Sequence, residues 1–338
     1  MNQRPSGYEH GRINEDGNEE RHHYIALFLE TAIGDAMSSC GSLATAYLYT
    51  DEEEYGRAAA IILDRFADVY PEASIRDFNE LGYPLGGVGQ GMFRGSLRDY
   101  TIAANVADYI DMVFPLLEQN DEKLIKTLSE KVDKLQLDTP KENGAQIWEY
   151  WKKNILIRNY EGLKTGDLRG NLGYQERVAA MTVVALDTEP YSKEIVEWIF
   201  KPALVSSDDD WDRFNCEGGN ILHNFVNWVD RDGMGSEGSP NYNLTRTYYY
   251  DTVAGWLESY DNGKYSLYKN PKFMQMYLAG IPLVLTNNHH PQIGDSGSTA
   301  MLEFFDRDAI LQRGFSYCKT ACRIHIFPKR KLGSWVAL

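Results

Sequence analysis

The chain has 338 residues, 43% of them hydrophobic, which is enough for one large or two modest domains with a real core. Its net charge of −15, from 34 basic and 49 acidic side chains, excludes nucleic acid as a general partner, because phosphate binding needs a basic surface. No run of about 18 apolar residues occurs, so no stretch reads as a membrane span.

Residues 1–22 are polar, lack the apolar segment of a signal peptide, and read as a flexible leader. Residues 23–49 then keep apolar or small side chains on a helical period. Thr50 reads as the cap of a second helix, with Glu53 three residues on as in a capping box. In that helix Tyr55, Ala58, Ala59, Ile62, Phe66 and Val69 share one face, and Pro71 follows its end. The two helices with their short turn form an antiparallel hairpin. Residues 71–95 are a long glycine-rich link and a candidate cleft loop. Further helices are expected over 97–117, 121–135, 145–157, 172–186, 192–200, 221–229, 245–260 and 273–285. Strand-like alternation is scarce before residue 307. The fold expected is therefore all-α, an incomplete α/α toroid of antiparallel hairpins over residues 23–306. No repeat of fixed period is present, which weighs against a solenoid. Residues 307–338 are basic and break the helical pattern, as a tail or the start of a β domain.

The stretch from Asn224 to Tyr260 organises the rest. It places Gly233, Gly235, Gly238, Ser239-Pro240 and the acids Asp230, Asp232 and Glu237 between two helical patterns. Such a link lets backbone approach a ligand closely. Tyr242, Asn243, Thr245, Arg246 and the triplet Tyr248, Tyr249 and Tyr250 follow. Tyr249 shares an apolar face with Val253, Trp256 and Tyr260 and is expected in the core, whereas Tyr248 and Tyr250 remain candidate cleft aromatics. Asn243-Leu244-Thr245 also matches a glycosylation sequon by its bare pattern. Cys40, Cys216, Cys318 and Cys322 are scattered and read as structural thiols. A metal site at Cys318, Cys322 and His325 would need further ligands, and no metal or other cofactor is expected.

Residues 228–243, WVDRDGMGSEGSPNYN, resemble the DG-x-x-x-EGS-P-x-Y signature of the heparinase II/III-like polysaccharide lyases. GNLGYQERVAAMTVVAL (170–186) is similar to that family's Gly-Asn helix opening with a Gln shortly after. YLYTDEEEYGRAAAIILDRFADVYP (47–71) resembles its opening helical pair, and PQIGDSGS (291–298) its IGDSG element. The resemblance implies an incomplete α/α toroid followed by a β-sandwich. It also implies β-elimination on a uronic-acid polysaccharide, a glycosaminoglycan such as heparin or heparan sulfate or an alginate-like polymer, in the periplasm or outside the cell.

The chemistry constrains the residues. Elimination across C4–C5 of a uronate removes a proton alpha to a carboxylate, which must first be neutralised by hydrogen bonds. Asn171 and Gln175 lie at i and i+4 and project from one face at a helix start, where side-chain amides suit that work. Tyr242 matches the family's catalytic tyrosine, as general acid and as a candidate base, with Arg246 close behind to supply positive charge. His223, His289 and His290 are the candidates for a second proton carrier, and Glu237 and Tyr248 for substrate contacts. Two rivals stand beside this reading. One is an α/α-toroid glycoside hydrolase using Asp232 and Glu237; the other is a truncated carbohydrate-binding toroid without activity.

Overall fold

A computed structural model describes residues 9–13, 19–73, 91–93, 96–168, 170, 173–202, 205–207, 214–235, 237, 239–285, 289–294, 314 and 316. These residues are mostly helical, and the all-α class expected from the sequence holds. They fall into two compact units, Met1–Gly219 and Asn220–Leu338. Among the described residues, no helix is long and apolar enough to cross a membrane.

The first unit opens with a two-stranded antiparallel ribbon, β1 (Glu9–Ile13) and β2 (Glu19–His23), inside the stretch expected to be a leader. The Asp16-Gly17 pair between them is a hairpin signal in its own right. Then come α1 (Tyr24–Thr50) and α2 (Glu53–Val69), joined by two residues and packed together as the expected hairpin. Its junction differs from the capping box. Thr50 ends α1, its hydroxyl donating to the Ala46 carbonyl at 2.8 Å and accepting from the Glu52 amide at 3.2 Å. Asp51 turns the chain with φ 59°, and α2 begins without a side-chain cap. The buried face of α2 is also rotated from the expected one. Gly56, Ala59, Ala60, Leu63, Phe66 and Ala67 are inside, Ile62 is half-buried and Val69 is exposed. Small residues decide this rotation: a Cβ on Gly56 would meet Leu116 Cδ1 at 2.7 Å and Tyr47 Cγ at 2.9 Å. The neighbouring helices come closest there.

Next are α3 (Ser96–Glu118), α4 (Glu122–Leu135), α5 (Gly144–Trp151), a π-helical turn (Lys152–Ile157) and α6 (Arg158–Thr165). The expected 145–157 helix thus runs on to Thr165, where Gly166 closes it at φ 79°. The unit ends with α7 (Tyr174–Leu186), α8 (Tyr191–Phe200) and a ribbon of β3 (Val205–Ser207) with β4 (Phe214–Cys216). α3 is the central element, packing on α1, α2 and α7. Two polar knots tie these helices. Asn159 is fully buried: its oxygen accepts from Tyr70 Oη at 2.6 Å, and its nitrogen donates to Ala103 O at 3.1 Å and Thr182 Oγ1 at 3.4 Å. Asp64, also fully buried, accepts from Lys141 Nζ at 2.7 and 2.6 Å, from Trp151 Nε1 at 3.0 Å, and from Lys131.

The second unit contains α9 (Ile221–Asn227), α10 (Pro240–Ser259) and α11 (Pro271–Met276), with 3-10 turns between and after the last two. α10 starts five residues before its expected beginning, because Pro240 at its first position is pre-set for helical φ. The expected 273–285 helix is reduced to α11 and turns. The core is aromatic: Phe225 meets Tyr250 edge-on at 5.0 Å and Phe273 at 5.6 Å, and Tyr277 Oη donates to buried Asp251 at 2.7 Å. Tyr250, left open as a cleft aromatic, is fully buried, and Tyr249, expected in the core, is half-buried. The helix register explains the exchange, since Tyr250 aligns with Val253, Ala254 and Leu257. The expected glycine-rich link (residues 74–90), most of the IGDSG element (295–298), the tail from 317 and the thiols Cys318 and Cys322 lie outside the described residues.

Candidate functional site

In the glycine-rich loop between α9 and α10, residues 229–235 are tied together by their own backbone. Asp230 N donates to Met234 O at 2.7 Å, Gly233 N to Asp230 O at 3.1 Å, and Val229 bridges Gly235. Asp232 Oδ1 accepts from Met234 N at 3.0 Å, so this exposed acid closes the turn. Gly233 takes φ +87° with its backbone against Gln275, where a Cβ would lie 2.3 Å from a carbonyl oxygen. Lys272 caps the C-terminal end of α9 by donating to Val226 O at 3.0 Å and to Val229 O.

Arg246 crosses beneath this loop. It is 4% exposed, its Nη1 donates to Trp228 O at 3.1 Å, and its Nη2 lies 3.7 Å from Glu237 Oε1. Burial draws the guanidinium below its ordinary pKa, against the opposing pull of Glu237. The expected role of Arg246 as a charge offered to substrate gives way to a brace under the loop. Asn243 is a second brace: its amide nitrogen donates to Ser239 O at 3.0 Å and to Glu237 O, and the residue is 6% exposed. The sequon at Asn243 is therefore closed to modification in the folded chain.

Above these braces the first turn of α10 presents Tyr242, 43% exposed. Beside it in sequence, Asn241 Nδ2 lies 3.3 Å from Nε2 of His290, which is wholly buried. His290 Nδ1 lies 2.9 Å from Pro291 O. A carbonyl only accepts, so Nδ1 donates to Pro291 O, and Nε2 faces the Asn241 amide. His290 is thus closed off from solvent, and its ring is held between the Asn241 amide and the Pro291 carbonyl. Asn241 Oδ1 is buried and has no hydrogen-bond partner among the described residues. Asn241 was not singled out by the sequence reading; its signal was its place beside Tyr242 at a helix start, where amides commonly act as caps.

His289 is exposed, and the Leu285 amide donates to its carbonyl at 2.6 Å. His223 lies on the exposed face of α9, opposite the side that carries Phe225. Tyr248 is half-buried and packs edge-on against Tyr249 at 5.0 Å. Gln175 is half-buried on the first turn of α7 in the first unit, and Asn171 lies outside the described residues. No group of three or more His, Cys, Asp or Glu side chains that could hold a metal occurs among the described residues. Comparison with protein-family models, with curated proteins and with solved structures finds no match for this chain.

Proposed function

We propose that this chain is a polysaccharide lyase of the heparinase II/III-like type, cleaving a uronic-acid polymer in the periplasm or outside the cell. The observation that carries the reading is Tyr242, exposed on the first turn of α10 beside an amide held by a buried histidine. A helix N-terminus favours an anion, because its first N–H groups lack intrahelical partners. α10 spans twenty residues, and Pro240 at its start leaves the amides of Asn241 and Tyr242 as such donors. A uronate carboxylate set there meets backbone donors and the Asn241 side chain, and its charge is offset as the enolate develops.

In the elimination the C5–H bond breaks and its electron pair forms the C4–C5 double bond. The C4–O4 bond breaks with its electrons leaving on oxygen, and O4 takes a proton. Tyr242 gives that proton. The C5 proton passes to a second carrier, for which we choose His289. It is exposed and directly precedes His290, the residue at the Asn241 contact, whereas His223 sits on the outer face of α9.

The test is ultraviolet absorbance of the unsaturated uronate over a panel of heparan sulfate, hyaluronan, chondroitin and alginate. Absorbance that rises with the parent and falls by about 10²-fold or more with Tyr242→Phe supports elimination. New reducing ends without absorbance move the assignment to hydrolysis, and binding without either product to a carbohydrate-binding domain.

A further inference from the structure

A cavity of about 740 Å³ opens in the first unit, well away in sequence from Tyr242. Its wall carries Glu149 and Tyr150 from the last turn of α5 and Lys153 and Asn154 from the π-helical turn. A π-helical turn sacrifices regular i→i−4 bonding, and such turns recur at functional sites because they re-aim side chains. Here the turn directs two successive polar residues toward one hollow. Its size falls in the range of small-molecule sites, and one or two sugar rings fill it.

The ionised residues of this wall carry both signs, Asp68, Glu72 and Glu149 acidic and Lys153 basic, and two of the acids are already paired. Asp68 takes Lys131 Nζ at 2.7 Å, Arg65 Nη1 at 3.1 Å and the Tyr150 hydroxyl at 3.1 Å. Lys141 Nζ sits 4.1 Å from the centre of the Tyr150 ring, so a buried cation already occupies that ring. Glu149 is paired with Lys152. Beside these pairs stand Thr139, the amide nitrogen of Gln146, and Asn154, which are neutral groups with donors and acceptors. Pro71, Pro140 and Ala145 supply apolar wall. A hollow with neutral amides, an aromatic edge and charges of both signs suits a neutral, hydroxyl-rich ring. A carboxylate there faces three acids against the one basic wall residue, Lys153, and an amine finds one face of the Tyr150 ring already held by Lys141.

We infer that this hollow at the π-helical turn is a binding site for a neutral saccharide unit. It uses no residue of the second unit and is independent of the elimination chemistry. The experiment titrates the full chain with cellobiose, maltose and lactose, with glucuronate and spermidine as charged probes, following the heat of binding by calorimetry. Asn154→Ala and Ala145→Trp are compared with the parent, with thermal unfolding as a check on folding. The expected result is saturable binding of at least one neutral disaccharide, weakened tenfold or more in both variants at unchanged unfolding temperature. Ala145 is exposed, so its variant fills the hollow without entering the core. Binding of spermidine or glucuronate in preference to every disaccharide overturns the inference. So does disaccharide binding that neither variant weakens, or no saturable binding of any probe.

Discussion

His290 Nε2 and Asn241 Nδ2 stand 3.3 Å apart, and the other ring nitrogen lies 2.9 Å from the Pro291 carbonyl. The contact fastens the 289–294 segment to the first turn of α10, a link between positions 49 residues apart. His290→Ala removes a wholly buried ring and leaves Asn241 and the Pro291 carbonyl to find new partners. A loss of about 2–3 kcal/mol in stability is expected by denaturant unfolding. If Asn241 serves as proposed, Asn241→Ala lowers elimination further than it lowers stability, and Asn241→Asp, which repels the uronate, lowers it more.

Two glycines of the second unit should respond in opposite senses. A Cβ on Gly235 would lie 2.1 Å from Arg246 Nη1 and 2.6 Å from Trp228 O, so Gly235→Ala displaces the brace under the loop. It should destabilise by about 2 kcal/mol or more. Gly255, inside α10, has nothing within 4 Å of a built Cβ. Gly255→Ala should stabilise by about 0.5–1 kcal/mol through the unfolded chain and helix propensity. Thermal unfolding of the two variants side by side checks both signs.

The lysine-bridged acids of the first unit set an acid dependence. Burial alone would raise the Asp68 carboxyl, but the hydrogen bond from Lys131 and the charges of Lys131 and Lys141 outweigh it and hold it below the ordinary carboxylate range. Because the folded-state pKa is the lower one, the unfolded chain binds the extra proton as pH falls through that window. The stabilisation is present above the ordinary carboxylate pKa and is lost on acidification through the folded value. Asp68→Asn should therefore be less stable than the parent at neutral pH and show a flatter acid limb in urea midpoints. Asp64→Ala, which strands buried Lys141, should cost about 3–5 kcal/mol.

Cys40 is fully buried, with its Sγ 3.6 Å from Ala59 O, and burial pushes its thiol up to about 12. Thiolate is the reactive form, so labelling by an aromatic disulfide reagent at mildly alkaline pH should await unfolding. Rapid labelling of Cys40 in the folded chain would contradict the packing of α1 on α2.

The hairpins were legible because their signals are local. The period of residues 23–49 and the short turn at 50–53 gave α1 and α2, and the apolar run of 97–117 gave α3. The buried face of α2 was not, since Gly56, Ala59 and Ala60 carry little hydrophobic signal and are inside because another helix needs the room. The π-helical turn was equally silent, as nothing in KKNILI marks a wider turn. At the candidate site the loop and Tyr242 were read from their order in the chain. The braces were not: Arg246 looked like a free cation, and its partner, the Trp228 carbonyl, belongs to backbone that carries no sequence mark. Asn241 and His290 were invisible as a pair for the same reason, being joined only by folding.

The buried amide of Asn159 sets the alignment of four helices. Its contacts on Tyr70, Ala103 and Thr182 are directional, unlike the apolar surfaces around them, which stay nearly as well covered if one helix slides along another. A slip of α6 by one residue would break all three bonds at once and strand polar atoms in a dry interior. Grease supplies the cohesion of this unit, and a single side chain of neutral polarity acts as the vernier that gives it one reading.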